Sequence, residues 1–279
     1  MAAADVALGF IGLGEQGAPL ALNLQAAGYA PVVFDARREA LLPFSEAGAS
    51  IAGSVDEVGH RAKVVLVCVN DGAQLADVLG GAAGGLLGSM PAGGVIVIHS
   101  TVSAALVERN AGIAARLGIA IVDAPLTGGA EGARNKSVVY FVGGDADALE
   151  RCRPILEVSA RKIIRAGPIG AGLRAKLVHQ LVLCGNLMAA RDGWLLGRSA
   201  GLDDAIIMDV LQSGAAQSRV GERLPRSAWS DHVLELFQKD ISLCLELGKE
   251  HALELRTASF IEDELGTQRR EEREGSTHP

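Results

Sequence analysis

The chain has 279 residues, 49% of them hydrophobic and 21% charged, which is enough to bury a self-sufficient core in one large or two moderate domains. A formal net charge of −7 gives no basic field for nucleic acid or an anionic membrane. The four cysteines, Cys68, Cys152, Cys184 and Cys244, show no C-x-x-C spacing and suggest neither a zinc site nor a disulfide framework but core thiols in a reducing compartment.

Val6 to Ile11 reads as a short apolar strand that runs into Gly12-Leu13-Gly14-Glu15-Gln16-Gly17. No basic residue precedes that run and glycines interrupt it, so it is read as neither a signal peptide nor a membrane span, and the cytoplasm is the expected compartment. Ala18 to Ala27 reads as a helix, Val32 to Asp35 as a strand ending in an acid, and Arg37 to Glu46 as a second helix. Ser50 to Ala52 is a brief strand, Ser54 an N-cap for Val55 to His60, and Lys63 to Val69 a strand apolar enough to be buried on both faces. The glycine-rich stretch Gly80 to Gly94 is expected to be a helix with loose ends. Strands at Val95 to Ile98 and Ile119 to Val122 flank a helix at Ser103 to Leu117. A loop at Asp123 to Gly129 follows, then strands at Val138 to Val142 and Lys162 to Arg165 around a helix at Asp145 to Val158. Alternating strands and helices predict a doubly wound, mainly parallel sheet of the Rossmann type.

After Gly167 the strand signal stops, and the rest to about Glu264 reads as helix with breaks near Gly201, Gly214 and Pro225. The expected organisation is thus α/β over residues 1–168 and all-α over 169–279, with a mixed-charge tail from about Gln268 expected to lack order. The all-α part opens on a long helix from about Leu173 to Ala200 whose apolar residues surround the axis, which predicts a buried helix. Lys176 in its first turns is out of place there, because a buried ammonium is costly unless it is paired or its pKa falls. A lysine snorkelling from a helix end is the alternative.

Three constellations carry candidate chemistry. Gly12, Gly14 and Gly17 form G-x-G-x-x-G between a strand and a helix, with Asp35 at the end of the next strand, as dinucleotide binding requires. Asp35 suits the ribose hydroxyls and favours NAD, whereas Arg37 and Arg38 are placed to take the 2′-phosphate of NADP. Asp123-Ala124-Pro125-Leu126-Thr127-Gly128-Gly129 offers a hydroxyl and unobstructed amides to a carboxylate, or is an ordinary Pro/Gly turn. Lys176 has His179 and Gln180 one turn on, along the same face.

With Lys239-Asp240-Ile241, these motifs stand in the order found in the β-hydroxyacid dehydrogenase family, which the chain resembles from Leu8 to about Lys249. The resemblance implies that Lys176 is the catalytic acid/base, and that Thr127, Gly128 and Gly129 bind the substrate carboxylate. It places Asp240, His179, Gln180 and His232 on the substrate side. The cofactor residues it implies are Gly12, Leu13, Gly14, Gln16, Gly17, Asp35, Arg37, Val69, Asn70, Thr101 and Lys239. Thr127 stands where the family usually has Ser, His179 and Gln180 where it commonly has Asn, and His232 where it often has Phe, so the substrate is less determined than the reaction. The expected function is reversible hydride transfer between NAD, with NADP also possible, and a small 3-hydroxy acid or its aldehyde. No metal, nucleic acid or membrane is expected, and a homodimer or higher homo-oligomer is. Imine reduction and a non-catalytic NAD(P)-binding role are the rival readings; retention of Lys176 counts against both.

Overall fold

The computed structural model describes residues 6–80, 84–223 and 231–275, with side chains at 223, 231–232 and 268–275 outside the described set. Two compact units emerge, 1–176 and 177–279. In the first, β1 (Leu8–Ile11), α1 (Gly17–Ala26), β2 (Val32–Phe34), α2 (Leu42–Glu46), β3 (Ser50–Ile51), α3 (Val55–Arg61) and β4 (Val64–Val67) lead to α4 (Gly72–Leu79) and α5 (Gly85–Ser89). Then come β5 (Val95–Ile98), α6 (Ala104–Arg116), β6 (Ala120–Asp123), β7 (Leu126–Thr127), α7 (Gly129–Arg134), β8 (Val138–Gly143), α8 (Ala146–Glu157) and β9 (Ala160–Gly167).

The strand order is β3-β2-β1-β4-β5-β6-β8-β7, with β9 on β8. Pairing is parallel from β3 to β6, as the apolar runs Val64–Val67 and Val95–Ile98 predict for strands covered on both faces. Alternate residues divide between two cores. Leu8, Phe10, Val64, Leu66, Val95 and Val97 pack with Leu20 and Leu24 of α1 and Leu149 and Ile155 of α8. Ile11, Val65, Val67, Ile96 and Ile98 pack with Val58, Leu75 and Val107 on the other face. Each such side chain contributes about 1.5–3 kcal/mol on full burial.

Two local expectations are corrected. The Gly80–Gly94 stretch holds the short α5, and a separate helix, α4, precedes it, because the Asp71 side chain caps α4 by accepting from Gln74 N and Gly80 ends it at a φ of 65°. The stretch Asp123–Gly129 is not all loop: β6 and β7 follow one another along the same edge of β8, both antiparallel to it, with Asp123 opposite Gly143 and Thr127 opposite Val139. The break between them falls at Ala124-Pro125, where Phe141 N donates to Pro125 O and so keeps the edge bonded across a residue that has no N–H of its own.

The long helix, α9 (Ala171–Ser199), carries the chain from the first unit into the second. Two of its glycines receive α10 (Asp204–Leu211): a Cβ at Gly197 would lie 2.7 Å from Ile207 Cγ1, and one at Gly193 would lie 3.3 Å from Leu211 Cδ2. The second unit continues with α11 (Asp231–Glu250) and α12 (Arg256–Gly275), and its core joins Cys184, Leu187 and Met188 to Leu234, Ile241, Ala258, Ile261 and Leu265. The expectation that α9 is buried all round does not hold within the single chain, since Val178, Val182 and Leu196 are 66%, 56% and 72% exposed. The backbone of α12 runs into the mixed-charge stretch as far as Gly275.

Candidate active site

The glycine-rich turn after β1 is built by close approach. Gly12 has φ 90°, its N–H donates to Phe34 O, and a Cβ there would overlap Cys68 O; a Cβ on Gly17 would overlap Gly12 O. Those two glycines are demanded by the protein itself. Gly14 is different, because a Cβ on it would meet nothing nearer than Arg37 Nη2 at 3.9 Å, so the open surface above it is left for something outside the chain. No side chain caps α1 at Gln16 and no acid lies in its first turn, which leaves the helix N-terminus facing an external anion. These residues fit the pyrophosphate of a dinucleotide.

Asp35 follows β2 and is held against the turn: Leu13 N donates to its Oδ2 at 2.7 Å, and Arg37 N and Nε donate to its Oδ1 at 2.8 and 3.2 Å. Burial alone raises the Asp35 pKa, but Arg37 and the two backbone amides outweigh it and hold the carboxyl below its ordinary range. Arg37 is therefore Asp35's partner as well as a neighbour of Gly14. Val69 and Asn70 follow β4, and their amides donate to Ser100 Oγ and Gln74 Oε1; Thr101 follows β5 and is half-buried. All these candidates share the carboxyl edge of the parallel strands, where ligands of such sheets sit.

Lys176 lies in the second turn of α9 and is 7% exposed. Its Nζ donates to Leu126 O at 2.8 Å, so the sequence's misfit lysine is attached to the residue preceding Thr127. Gly128 and Gly129 have φ of 130° and 63° and open α7, with nothing within 4 Å of where a Gly129 Cβ would point. Two residues that the sequence left without a role hold this arrangement. Asp123 is fully buried, and its Oδ1 and Oδ2 accept from Gly170 N and Leu173 N, each at 2.8 Å. Burial pushes its carboxyl above the ordinary range, against the opposing pull of the amides of Gly170, Leu173, Asp123 and Gly172. His99 Nδ1 donates to Ala124 O at 2.9 Å, and Nε2 is buried with no partner among the described residues. Burial holds His99 neutral, with its pKa down to about 4. Both stand at the carboxyl end of otherwise apolar strands, and a polar residue in that position was the available signal.

In the second unit, Gln180 Nε2 donates to Asp240 Oδ2 at 2.7 Å and Lys239 Nζ to Asp240 Oδ1 at 2.8 Å. Gln180 Oε1 faces His179 Nδ1 at 3.1 Å, so Nδ1 is the donor in that contact. Four of the candidates are thus joined in one polar chain. His232 falls in the first turn of α11 and its side chain lies outside the described residues. Among the described residues, no group of three or more His, Cys, Asp or Glu is placed to hold a metal ion, and no helix is long and apolar enough to cross a membrane.

Residues 7–167 match the family described as the NAD binding domain of 6-phosphogluconate dehydrogenase, and residues 170–278 match the NAD-binding domain of NADP-dependent 3-hydroxyisobutyrate dehydrogenase. The chain is 32% identical over 272 residues to the 2-hydroxy-3-oxopropionate reductase of Escherichia coli K12, covering 93% of this chain and 90% of that protein. Its fold matches a solved 3-hydroxyisobutyrate dehydrogenase of Mycobacterium tuberculosis with L-serine, with a TM-score of 0.81, 25% identity and coverage of 93% and 92%. A Myxococcus stipitatus imine reductase variant in complex with NAD+ matches with a TM-score of 0.68 at 19% identity, covering 94% and 93%, which is a likeness of fold alone.

Proposed function

The chain belongs to the β-hydroxyacid dehydrogenase family and is an NAD(P)-dependent 3-hydroxyacid dehydrogenase, and from that premise we propose that it oxidises a small 3-hydroxy acid to its semialdehyde, reversibly, with Lys176 as acid/base. The observation that carries this reading is the buried Lys176 amine at 2.8 Å from Leu126 O, one residue before the Thr127-Gly128-Gly129 turn. A base and a carboxylate-binding turn held together are what a 3-hydroxy acid needs, because its hydroxyl and carboxylate lie a fixed few bonds apart.

In this reading the Thr127 hydroxyl and the amides of Gly128 and Gly129 hold the substrate carboxylate. Lys176 takes the hydroxyl proton as the C–H bond breaks, and returns it in the reverse direction. The bound nicotinamide supplies the chemistry that accepts or gives the hydride. Lysine has a reference pKa of about 10.4, and burial among apolar residues and an early place in a helix both disfavour its ammonium. The Leu126 carbonyl accepts from either protonation state, so it orients the amine throughout. Asp35 accepts from the adenosine ribose, which favours NAD over NADP.

Further roles in the second unit rest on the family resemblance: His179, Gln180, His232 and Asp240 on the substrate side, and Lys239 with the cofactor. A cytoplasmic homodimer completes the proposal.

The test is a spectrophotometric screen with NAD and NADP of small 3-hydroxy acids, L-serine, semialdehydes, glyoxylate and a cyclic imine, with Lys176→Met beside the wild type. Turnover of a 3-hydroxy acid, lost by about 10²–10⁴-fold in Lys176→Met while NAD still binds, is the expected result. A variant that retains substantial activity removes Lys176 from the reaction, and turnover of the imine alone would move the chain to C=N reduction.

A further inference from the structure

We propose that Asp123 is a positioning residue that acts through Lys176, its buried carboxylate fixing the start of α9 to the Asp123–Thr127 strap and thereby the place of the lysine amine relative to Thr127. The proposal rests on the reading of Lys176 as the acid/base.

A helix start is ordinarily capped by a side chain at its own N-cap position. Here the cap comes from 47 positions earlier in the chain, on the strand that leads to Thr127. Each carboxylate oxygen takes one amide, Gly170 N on Oδ1 and Leu173 N on Oδ2, so the group spans the first turn of α9 and opposes both sliding and rotation of the helix. The socket is lined by backbone. A Cβ on Gly143 would lie 2.5 Å from Oδ1 and one on Gly172 would lie 2.8 Å from Oδ2, so neither the strand nor the helix can accept a larger residue beside the carboxylate. At the other end of the strap, Leu126 O receives Lys176 Nζ at 2.8 Å.

Strap and helix are consequently tied twice, three residues apart on each: Asp123 to Leu173, and Leu126 to Lys176. The first tie is charge-assisted and independent of the lysine's protonation state. The second survives proton transfer, because a neutral amine keeps N–H groups to donate to Leu126 O while its lone pair points elsewhere. A carboxylate buried at this cost is explained if it is the part that does not move while the amine is protonated and deprotonated.

The experiment is a double-mutant cycle in the full chain with NAD and a substrate found active in the screen, using Asp123→Asn, Lys176→Ala and the double variant, with single turnovers at excess enzyme for the slow forms. Asp123→Asn is expected to leave the NAD Kd unchanged and to lower kcat by about tenfold to a hundredfold with little change in KM. In the Lys176→Ala background the same substitution should cost less than about twofold, since no amine remains to be positioned. An equal fold-loss in both backgrounds overturns the proposal and leaves the role of Lys176 standing. An active Lys176→Ala overturns the acid/base reading instead. If Asp123→Asn does not fold, Asp123→Thr takes its place in the cycle. If neither folds, amide hydrogen exchange in the wild type decides: protection of Gly170 and Leu173 comparable to β6 supports the clamp, and exchange at exposed-loop rates overturns it.

Discussion

His99 combines three observations at one residue: a ring buried beside Phe10 and Tyr140, an Nδ1–H committed to Ala124 O, and an Nε2 with no partner among the described residues. Folding must therefore keep it neutral, and its pKa falls from an ordinary 6.5 to about 4. A depressed folded-state pKa in a base means that the unfolded chain takes up the proton first, so stability is full above about 6.5 and is lost as the pH falls through about 4. The shift corresponds to about 3 kcal/mol. Thermal midpoints measured from pH 7 to pH 4 should fall, and His99→Asn should flatten that fall while lowering the midpoint at pH 7; an unchanged slope would mean His99 is not the group that charges. Asp35 is the second residue-scale case. Asp35→Ala removes the acceptor that the ribose hydroxyls would use, and the variant should weaken NAD by about tenfold or more while leaving NADP less affected. Dissociation constants for both cofactors, measured by fluorescence, would show an unchanged preference if Asp35 does not choose between them.

The elements differ in how openly the sequence announces them. The runs Val64–Val67 and Val95–Ile98 were readable as strands because burial on both faces leaves no polar residue to confuse the period. The Rossmann turn was readable because each glycine answers a separate steric demand. That separation is testable: Gly17→Ala would put a Cβ into Gly12 O and should cost about 1–3 kcal/mol of stability by chemical denaturation. Gly14→Ala has open space above it and should leave stability nearly unchanged while weakening dinucleotide binding by tenfold or more. α4 is punctuated by the Asp71 cap and the left-handed Gly80, signals that the glycine-rich composition after it masks. The Lys176 anomaly was visible from hydropathy alone, but the means of holding it were not. Asp123 binds amides 47 and 50 positions later, and no local pattern reveals a long-range contact made to backbone.

At the scale of the whole molecule, one side of α9 leaves Val178, Val182 and Leu196 exposed, and α10 adds Ile206 and Val210, 50% and 59% exposed. Residues 178, 182, 189 and 196 follow a heptad-like spacing along the helix, a stripe suited to another helix. Wild-type protein is expected to sediment as a dimer or larger, and Val182→Glu to shift it toward the monomer; a monomeric wild type at micromolar concentration would end that expectation. The division into units carries a different consequence. It falls at Lys176 and Leu177, inside a continuous helix rather than in a linker. A protease seeking an extended hinge there finds backbone already committed to helical hydrogen bonds. A first unit cut away at that boundary would also end in a new α-carboxylate borne by Lys176 itself. Such a terminus would favour the ammonium and oppose the work as a base proposed for it, so the two halves of this chain can be separated on paper but not in chemistry.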